Sequence, residues 1–125
     1  MSLYIEMEQI GDVAVLQCAG RIVRAEALRV LKDAVTSVSQ PRVIVLDLSE
    51  VKMLDGGGLG TLVFLHNWTC ANGIQLKLVN PSPLVRKMME LTGLTSVLHI
   101  SSVNDVVEIF CGSHRAIENV DRAVA

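Results

Sequence analysis

The chain has 125 residues, half of them hydrophobic, and a formal net charge of −2. This length allows one domain with its own core, and the near-balanced charge excludes the basic surface that nucleic-acid or anionic-lipid binding requires. No apolar stretch approaches the roughly 20 residues of a membrane-spanning helix, and no signal peptide is recognisable. We therefore expect a cytoplasmic protein without direct membrane insertion.

Strands and helices alternate along the first half of the chain. Residues 4–8 and 13–18 flank a Gly-Asp turn signal, which predicts an antiparallel hairpin. Apolar residues spaced by three and four predict a helix over 25–38. The near-continuous apolar run 43–48 is typical of a central parallel strand that is covered on both faces.

The second half continues this alternation. A second helix is predicted from about Leu59 to Ala71, followed by a strand over 75–80. The apolar stripe expected on this helix is Leu59, Leu62, Val63, His66 and Cys70.

A third helix is predicted to start at Pro83, with Ser82 as its N-cap. A short strand over 97–100 and a helix over 103–110 follow, the latter opened by a capping box. The apolar stripe expected on the third helix is Leu84, Met88 and Leu91.

These elements predict an α/β fold. The sheet is expected to be mixed and mostly parallel, with an N-terminal antiparallel strand and a cover of about four helices, because parallel strands must be joined by crossover connections. We assign residues 1–112 to one domain and 113–125 to a C-terminal tail that is either a frayed helix or disordered.

The most informative segment is the glycine run between the central strand and the second helix. A strand that ends in glycines and leads into a helix presents backbone N–H groups at the helix start. Asp55 is the only functional side chain in this segment, because Gly56 and Gly57 carry no nucleophile. The segment therefore predicts a contact site rather than a catalytic one.

Nucleotide binding and catalysis both lack their usual residues. No lysine or arginine lies between Asp55 and Asn72, so the glycine run does not match a phosphate-binding P-loop. No nucleophile is placed beside a base, and the histidines are interpreted as structural or surface residues. The cysteines Cys18, Cys70 and Cys111 form no Cys-x-x-Cys pair and no Cys/His ligand spacing, and they are predicted to be buried thiols. We expect no enzyme activity, no cofactor and no metal site.

Residues 43–62 resemble the signature of STAS domains, the fold of bacterial anti-sigma factor antagonists. The strand 75–80, the Asn-Pro-Ser-Pro entry to the third helix and the segment 91–94 also resemble downstream landmarks of that family. The resemblance covers roughly residues 4 to 110. It implies the STAS fold and a protein partner, namely an anti-sigma factor of the kinase type or a related regulator.

The resemblance also implies a phosphorylation switch that this chain lacks. In the family, the first serine of an Asp-Ser-Ser-Gly-type turn is phosphorylated by the anti-sigma factor, and the added charge releases the complex. Gly56 stands at the matching position and has no hydroxyl. Val23 stands where the family often carries an acidic residue, before the first helix.

We therefore predict a docking face that binds without phosphorylation at Gly56. It combines the glycine turn with the loop 20–26. Ser49, Thr61, Ser82 and Ser102 are interpreted as structural residues rather than substitute acceptors. The predicted partner-binding residues are Asp55, Gly56, Gly57, Gly58, Leu59, Arg21, Ile22, Val23 and Arg24.

Two alternatives remain open at this point. The chain could be a STAS subunit of a larger assembly, such as a lipid transporter or a stress-signalling complex. It could instead be a small-ligand or nucleotide sensor that uses the N–H groups of Gly57 and Gly58 as an anion seat.

Overall fold

The structure, a computed structural model, describes residues 3–98, 100–102, 104–105 and 107–108. Within these residues, five strands form one sheet and three α-helices connect its parallel strands. The strands are β1 (Leu3–Ile10), β2 (Val13–Ile22), β3 (Val43–Leu54), β4 (Gln75–Val79) and β5 (Ile100–Ser101), and the helices are α1 (Arg24–Thr36), α2 (Gly56–Ala71) and α3 (Pro83–Leu91).

The sheet has the order β1-β2-β3-β4-β5. β1 and β2 form an antiparallel hairpin, and the remaining neighbours pair in parallel. Every parallel neighbour is separated by a helix in the chain, as a crossover connection requires. The prediction of a mixed, mostly parallel sheet with an N-terminal antiparallel strand is confirmed.

The predicted fourth helix is described only in part. Residues 104, 105, 107 and 108 are helical. The predicted capping box is present, because the Asp105 N–H donates to the Ser102 hydroxyl and the Ser102 N–H donates to the Asp105 carboxylate, each at 3.1 Å. The proposed domain boundary at 112, the tail 113–125 and Cys111 lie outside the described residues.

The main core lies between the helices and one face of the sheet. Leu46 at the centre of β3 is fully buried, as are Leu31 of α1, Leu62 of α2 and Met89 of α3, and all belong to one apolar cluster. The other face carries a smaller cluster of valines from β2, β3 and β4. β3 is therefore covered on both faces, which explains its near-continuous apolar sequence.

β3 and α2 both differ from the predicted boundaries. β3 continues to Leu54 instead of ending near residue 48, and α2 begins at Gly56 instead of Leu59. The strand extension was missed because register shifts near Gly20 in the pairing with β2 break the regular alternation of buried and exposed side chains. Three glycines at a helix start also run against helix propensity, so their helical state depends on local capping.

The predicted stripe of α3 was wrong in orientation. Val85 and Met89 are buried in the core, whereas Leu84 and Leu91 are 42% and 76% exposed. Met88 is only partly buried. The spacing of apolar residues suits either face of this short helix, so the packing against β3 decides which one turns inward.

The predicted stripe of α2 was correct only in part. Leu59 and Leu62 are buried as expected, but Leu65 and Thr69 complete the buried face. Val63 and His66 are half-buried, and Cys70 is exposed. α2 has apolar residues around most of its circumference, so periodicity alone did not select the buried side.

Candidate functional site

Asp55 is the N-cap of α2 and explains why this helix begins at a glycine. Its Oδ1 accepts a hydrogen bond from the Gly58 N–H at 2.8 Å, and its backbone carbonyl accepts one from the Leu59 N–H at 2.9 Å. A carboxylate at this position also interacts favourably with the positive end of the helix dipole. The Gly58 amide is thus already bonded, which disfavours an external anion at this helix start.

Gly58 allows the start of α2 to pack directly on the end of β2. A Cβ atom at this position would overlap the carbonyl oxygen of Ile22 and lie 2.5 Å from the Leu54 Cδ1 atom. Any side chain larger than hydrogen would push the helix away from the sheet. The glycine is therefore required by the packing.

The other two glycines at this helix start have more space. A Cβ at Gly57 would lie 3.2 Å from the Leu28 Cδ1 atom and 3.4 Å from the Asp55 carboxylate. A Cβ at Gly56 would have no atom within 4 Å. Gly56 therefore occupies an open position where a side chain could be accommodated.

The exposed part of the glycine segment is shorter than predicted. Asp55, Gly56 and Gly57 are exposed, whereas Gly58 and Leu59 are buried. The bend is thus available to another molecule through its first three residues. Gly58 and Leu59 support this surface from beneath.

The second predicted segment is not a loop, because β2 ends at Ile22 and α1 begins at Arg24. Val23 alone connects them as the N-cap of α1, and its side chain makes no capping hydrogen bond. Arg24 adopts a left-handed backbone conformation with φ of 70°. Arg21 and Arg24 are exposed, Val23 is half-buried and Ile22 is buried.

The sheet register brings these two segments together. Ile22 pairs with Leu54, and Arg21 pairs with Met53. The β2–α1 connection therefore lies beside the strand end that leads into Asp55. We name these residues the docking face: the exposed Arg21, Arg24, Met53, Asp55, Gly56 and Gly57, together with the half-buried Val23.

Met53 was missed by the sequence reasoning. Its side chain is 44% exposed although it is hydrophobic. The signal that could have found it is the continuation of β3 beyond residue 48, which places Met53 next to Arg21.

No ion pair within the described residues involves Arg21, Arg24 or Asp55, so the docking face offers charges of both signs.

The family model for the STAS domain matches residues 4–107. The chain belongs to the STAS domain family. An anti-sigma F factor antagonist of Paenibacillus polymyxa is 25% identical over 113 residues, which cover 87% of this chain and 97% of that protein. A STAS-domain containing protein of Pseudomonas aeruginosa is 34% identical over 71 residues, covering 56% of this chain and 70% of that protein.

Solved structures share the STAS fold. An anti-sigma factor antagonist from Mycobacterium paratuberculosis has a TM-score of 0.71 at 23% identity, covering 86% of this chain and 92% of its own. SpoIIAA in its unphosphorylated form has a TM-score of 0.69 at 18% identity, with 87% and 97% covered. At these identities the likeness concerns the fold.

The two described cysteines of this STAS domain lie in different surroundings. Burial, with a contribution from Asp47, raises the pKa of the Cys18 thiol to about 12, which keeps it protonated and inert. The carboxylate of Asp47 accepts a hydrogen bond from the Ser49 N–H at 3.0 Å. Cys70 is exposed rather than buried, and its Sγ lies 3.9 Å from Nε2 of His66.

Metal binding and membrane crossing find no support in the described residues. Within residues 3–98 and the described positions up to 108, no three potential ligands among His, Cys, Asp and Glu are grouped to hold a metal ion. Over the same positions, each helix falls short of the length and apolarity that a membrane crossing requires.

Proposed function

We propose that this STAS domain is a non-catalytic interaction module of the anti-sigma factor antagonist type. Its partner is an anti-sigma factor of the kinase type or a related regulator, bound through the docking face. The observation that carries this proposal is the exposed start of α2 at Asp55–Gly57, held beside Arg21 by the register of β2 and β3. The name of the Paenibacillus polymyxa relative supports the class of partner.

The chemistry of the docking face suits a protein partner. Arginine and methionine are enriched at protein interfaces, since both combine apolar contact area with adaptable geometry. The exposed Met53 can bury its side chain, while Arg21 and Asp55 offer charges of opposite sign nearby. A stable interface buries about 800 Å² on each partner, so exposed residues in the first turns of α1 and α2, next to the docking face, complete the contact.

Binding by this domain is not switched by phosphorylation at residue 56. Gly56 replaces the acceptor serine that the resemblance to the family implies, and glycine has no hydroxyl to modify. Two of the other candidate acceptors are engaged in structure. Thr61 is buried, and its hydroxyl donates to the Gly57 carbonyl at 3.0 Å. Ser82 caps α3. These roles support a constitutively binding-competent domain.

The interaction is tested by titrating the purified chain with anti-sigma factors of its host in a calorimeter. Asp55→Lys and Arg21→Glu are expected to weaken binding at least about tenfold, because each reverses a charge on the docking face. Asp33→Lys, at an exposed position farther along α1, is the charge-matched control and should bind like wild type. Asp55→Asn removes the charge but keeps a side chain that can cap α2. Weaker binding by this variant would therefore reflect the lost charge rather than a lost fold.

Failure of every anti-sigma factor to bind would contradict the proposed class of partner. Wild-type affinity of both Asp55→Lys and Arg21→Glu would contradict the assigned face. Capture of the chain in a complex with transport or stress-signalling proteins would favour the larger-assembly alternative.

The missing switch is tested by incubating wild type and Gly56→Ser with the bound kinase and ATP. Since a Cβ at residue 56 meets no atom within 4 Å, the serine should fit, become phosphorylated and release the partner. Wild type should keep its mass. A phosphoryl group on wild type would show that another residue serves as acceptor.

A further inference from the structure

A second site lies at the carboxyl ends of β4 and β5, next to the start of α3. It is an open cavity of about 470 Å³. Ligands of open α/β sheets bind in crevices beyond the carboxyl ends of parallel strands. The residues of this cavity that bear polar side chains are Ser49, Asn80, Ser82, Arg86, Ser101 and Ser102. None of them belongs to the docking face.

Ser101 carries the strongest indication of a ligand. Ser101 is only 8% exposed, yet its hydroxyl has no hydrogen-bond partner among the described residues. No fully enclosed side-chain polar atom is left unbonded in this part of the chain, so the Ser101 hydroxyl opens into the cavity that it lines. A hydroxyl that is accessible on an otherwise buried side chain is held in place and can bond a group that enters the cavity, in exchange for water.

The charge of the cavity indicates an anion. Among the described residues of the lining, Arg86 contributes the only charged side chain, and no ion pair with another described residue neutralises its guanidinium. The cavity also adjoins the start of α3, where the helix dipole is positive. Asp105 bonds to Ser102 but is not part of the lining.

The number of available donors favours phosphate over carboxylate. Ser82 is committed to structure, because its hydroxyl donates to the Val51 carbonyl at 2.8 Å and accepts from the Val85 N–H at 3.4 Å. The hydroxyls of Ser49 and Ser101, the amide of Asn80 and the guanidinium of Arg86 remain, and no hydrogen bond within the described residues engages these four groups. A phosphate offers more acceptor oxygens than a carboxylate and pairs well with an arginine fork.

We infer that this cavity binds a phosphate group, either as free phosphate or as a small phosphomonoester. Arg86 supplies the charge that attracts it. Ser101 supplies the buried hydroxyl that orients it. The site is independent of the partner proposed above, since it uses different residues and a different chemistry.

The inference is tested by NMR titration of the isotope-labelled chain with inorganic phosphate and, separately, with glycerol 3-phosphate, at constant ionic strength maintained with chloride. Saturable shifts are expected at the backbone amides of Ser49, Ser101 and Ser102. Arg86→Gln should weaken binding at least about tenfold, because it removes the charge-assisted hydrogen bonds. Lys87→Gln, an exposed neighbour outside the lining, is the charge-matched control and should leave the affinity unchanged.

Ser101→Ala should weaken binding without unfolding the chain, and its fold is checked by its own NMR spectrum. Tighter binding of glycerol 3-phosphate would identify a monoester ligand, and equal affinity would identify free phosphate. Linear shifts without saturation would overturn the inference. So would saturable shifts centred on Gly56–Gly58, or equal loss of affinity in Arg86→Gln and Lys87→Gln.

Discussion

The starts of α2 and α3 follow neighbouring parallel strands but are built differently. α2 is capped by the carboxylate of Asp55, and a glycine packs its first turn against the end of β2. α3 is capped by the hydroxyl of Ser82 and begins with Pro83, beside a cavity that contains Arg86. The two helix starts thus differ in charge: a carboxylate caps α2, whereas α3 has a neutral cap with an arginine nearby.

Because of this difference in charge, the two helix starts suit different binding partners. The carboxylate at α2 already bonds a backbone amide and repels anions, so the exposed surface there suits another polypeptide. At α3 the cap is neutral and the nearby charge is positive, so an anionic ligand is favoured. The local side chains, rather than the helix dipole alone, decide what each helix start can bind.

Two alanine substitutions in α3 test which face of this helix packs inward, and one of them has the largest expected effect on stability. Met89→Ala should lower the free energy of unfolding by about 2–5 kcal/mol, because it leaves a cavity in the core. Leu91→Ala, at a 76% exposed position, should change it by no more than about 0.5 kcal/mol. Urea denaturation of the two variants measures both values. Equal destabilisation would refute the observed orientation.

The next effect tests the close packing at the start of α2. Gly58→Ala should destabilise the fold by about 1–3 kcal/mol, since the added methyl group overlaps backbone and side-chain atoms. Gly60→Ala is the matched control within the same helix, because a Cβ there meets no atom within 4 Å. The control should be stabilising by about 0.5–1 kcal/mol from helix propensity. A stable Gly58→Ala protein in thermal denaturation would contradict the packing.

Removing the caps compares the two helix starts directly. Asp55→Ala should cost about 1 kcal/mol of stability, and Asp55→Asn should recover most of it, because asparagine is an equally good cap. Ser82→Ala should cost about 1 kcal/mol or more, since this hydroxyl also bonds the Val51 carbonyl. Chemical denaturation of the three variants measures the values. No loss in Asp55→Ala would show that the glycines form the helix without their cap.

The smallest effect concerns the open position at the tip of α2. Gly56→Ser should change the free energy of unfolding by no more than about 0.5 kcal/mol, because the new side chain has free space around it. Gly57→Ser is the comparison, since its Cβ would contact Leu28 at 3.2 Å. A larger loss in Gly56→Ser than in Gly57→Ser, measured by thermal melting, would reverse the assigned geometry.

Much of the fold was predictable because the local signals agree with one another. The apolar run at residues 43–48, the hairpin around Gly11 and the cap at Ser82 each indicated the element that the structure contains. These signals depend only on residues that are close in sequence, so they can be recognised without knowledge of the tertiary structure. The parallel order of the strands also follows from the alternation of strands and helices.

The candidate site was predictable only in outline. The glycine run marked the right place, but the burial of Ile22, Gly58 and Leu59 depends on packing between α2 and the end of β2. Met53 was overlooked because register shifts in β2 interrupt the alternation from which exposure is inferred. The phosphate cavity joins residues separated by dozens of positions along the chain, which no local pattern indicates.

The sequence by itself determined the α/β class, the helix caps and the absence of an acceptor hydroxyl at Gly56, because each is a property of residue type and short-range spacing. The tertiary structure alone decided which side of α3 faces the core and which glycine meets a neighbouring strand. It also decided that Arg86 and Ser101 share a cavity. These outcomes depend on how elements distant in sequence pack together, because all of them share one closely packed core.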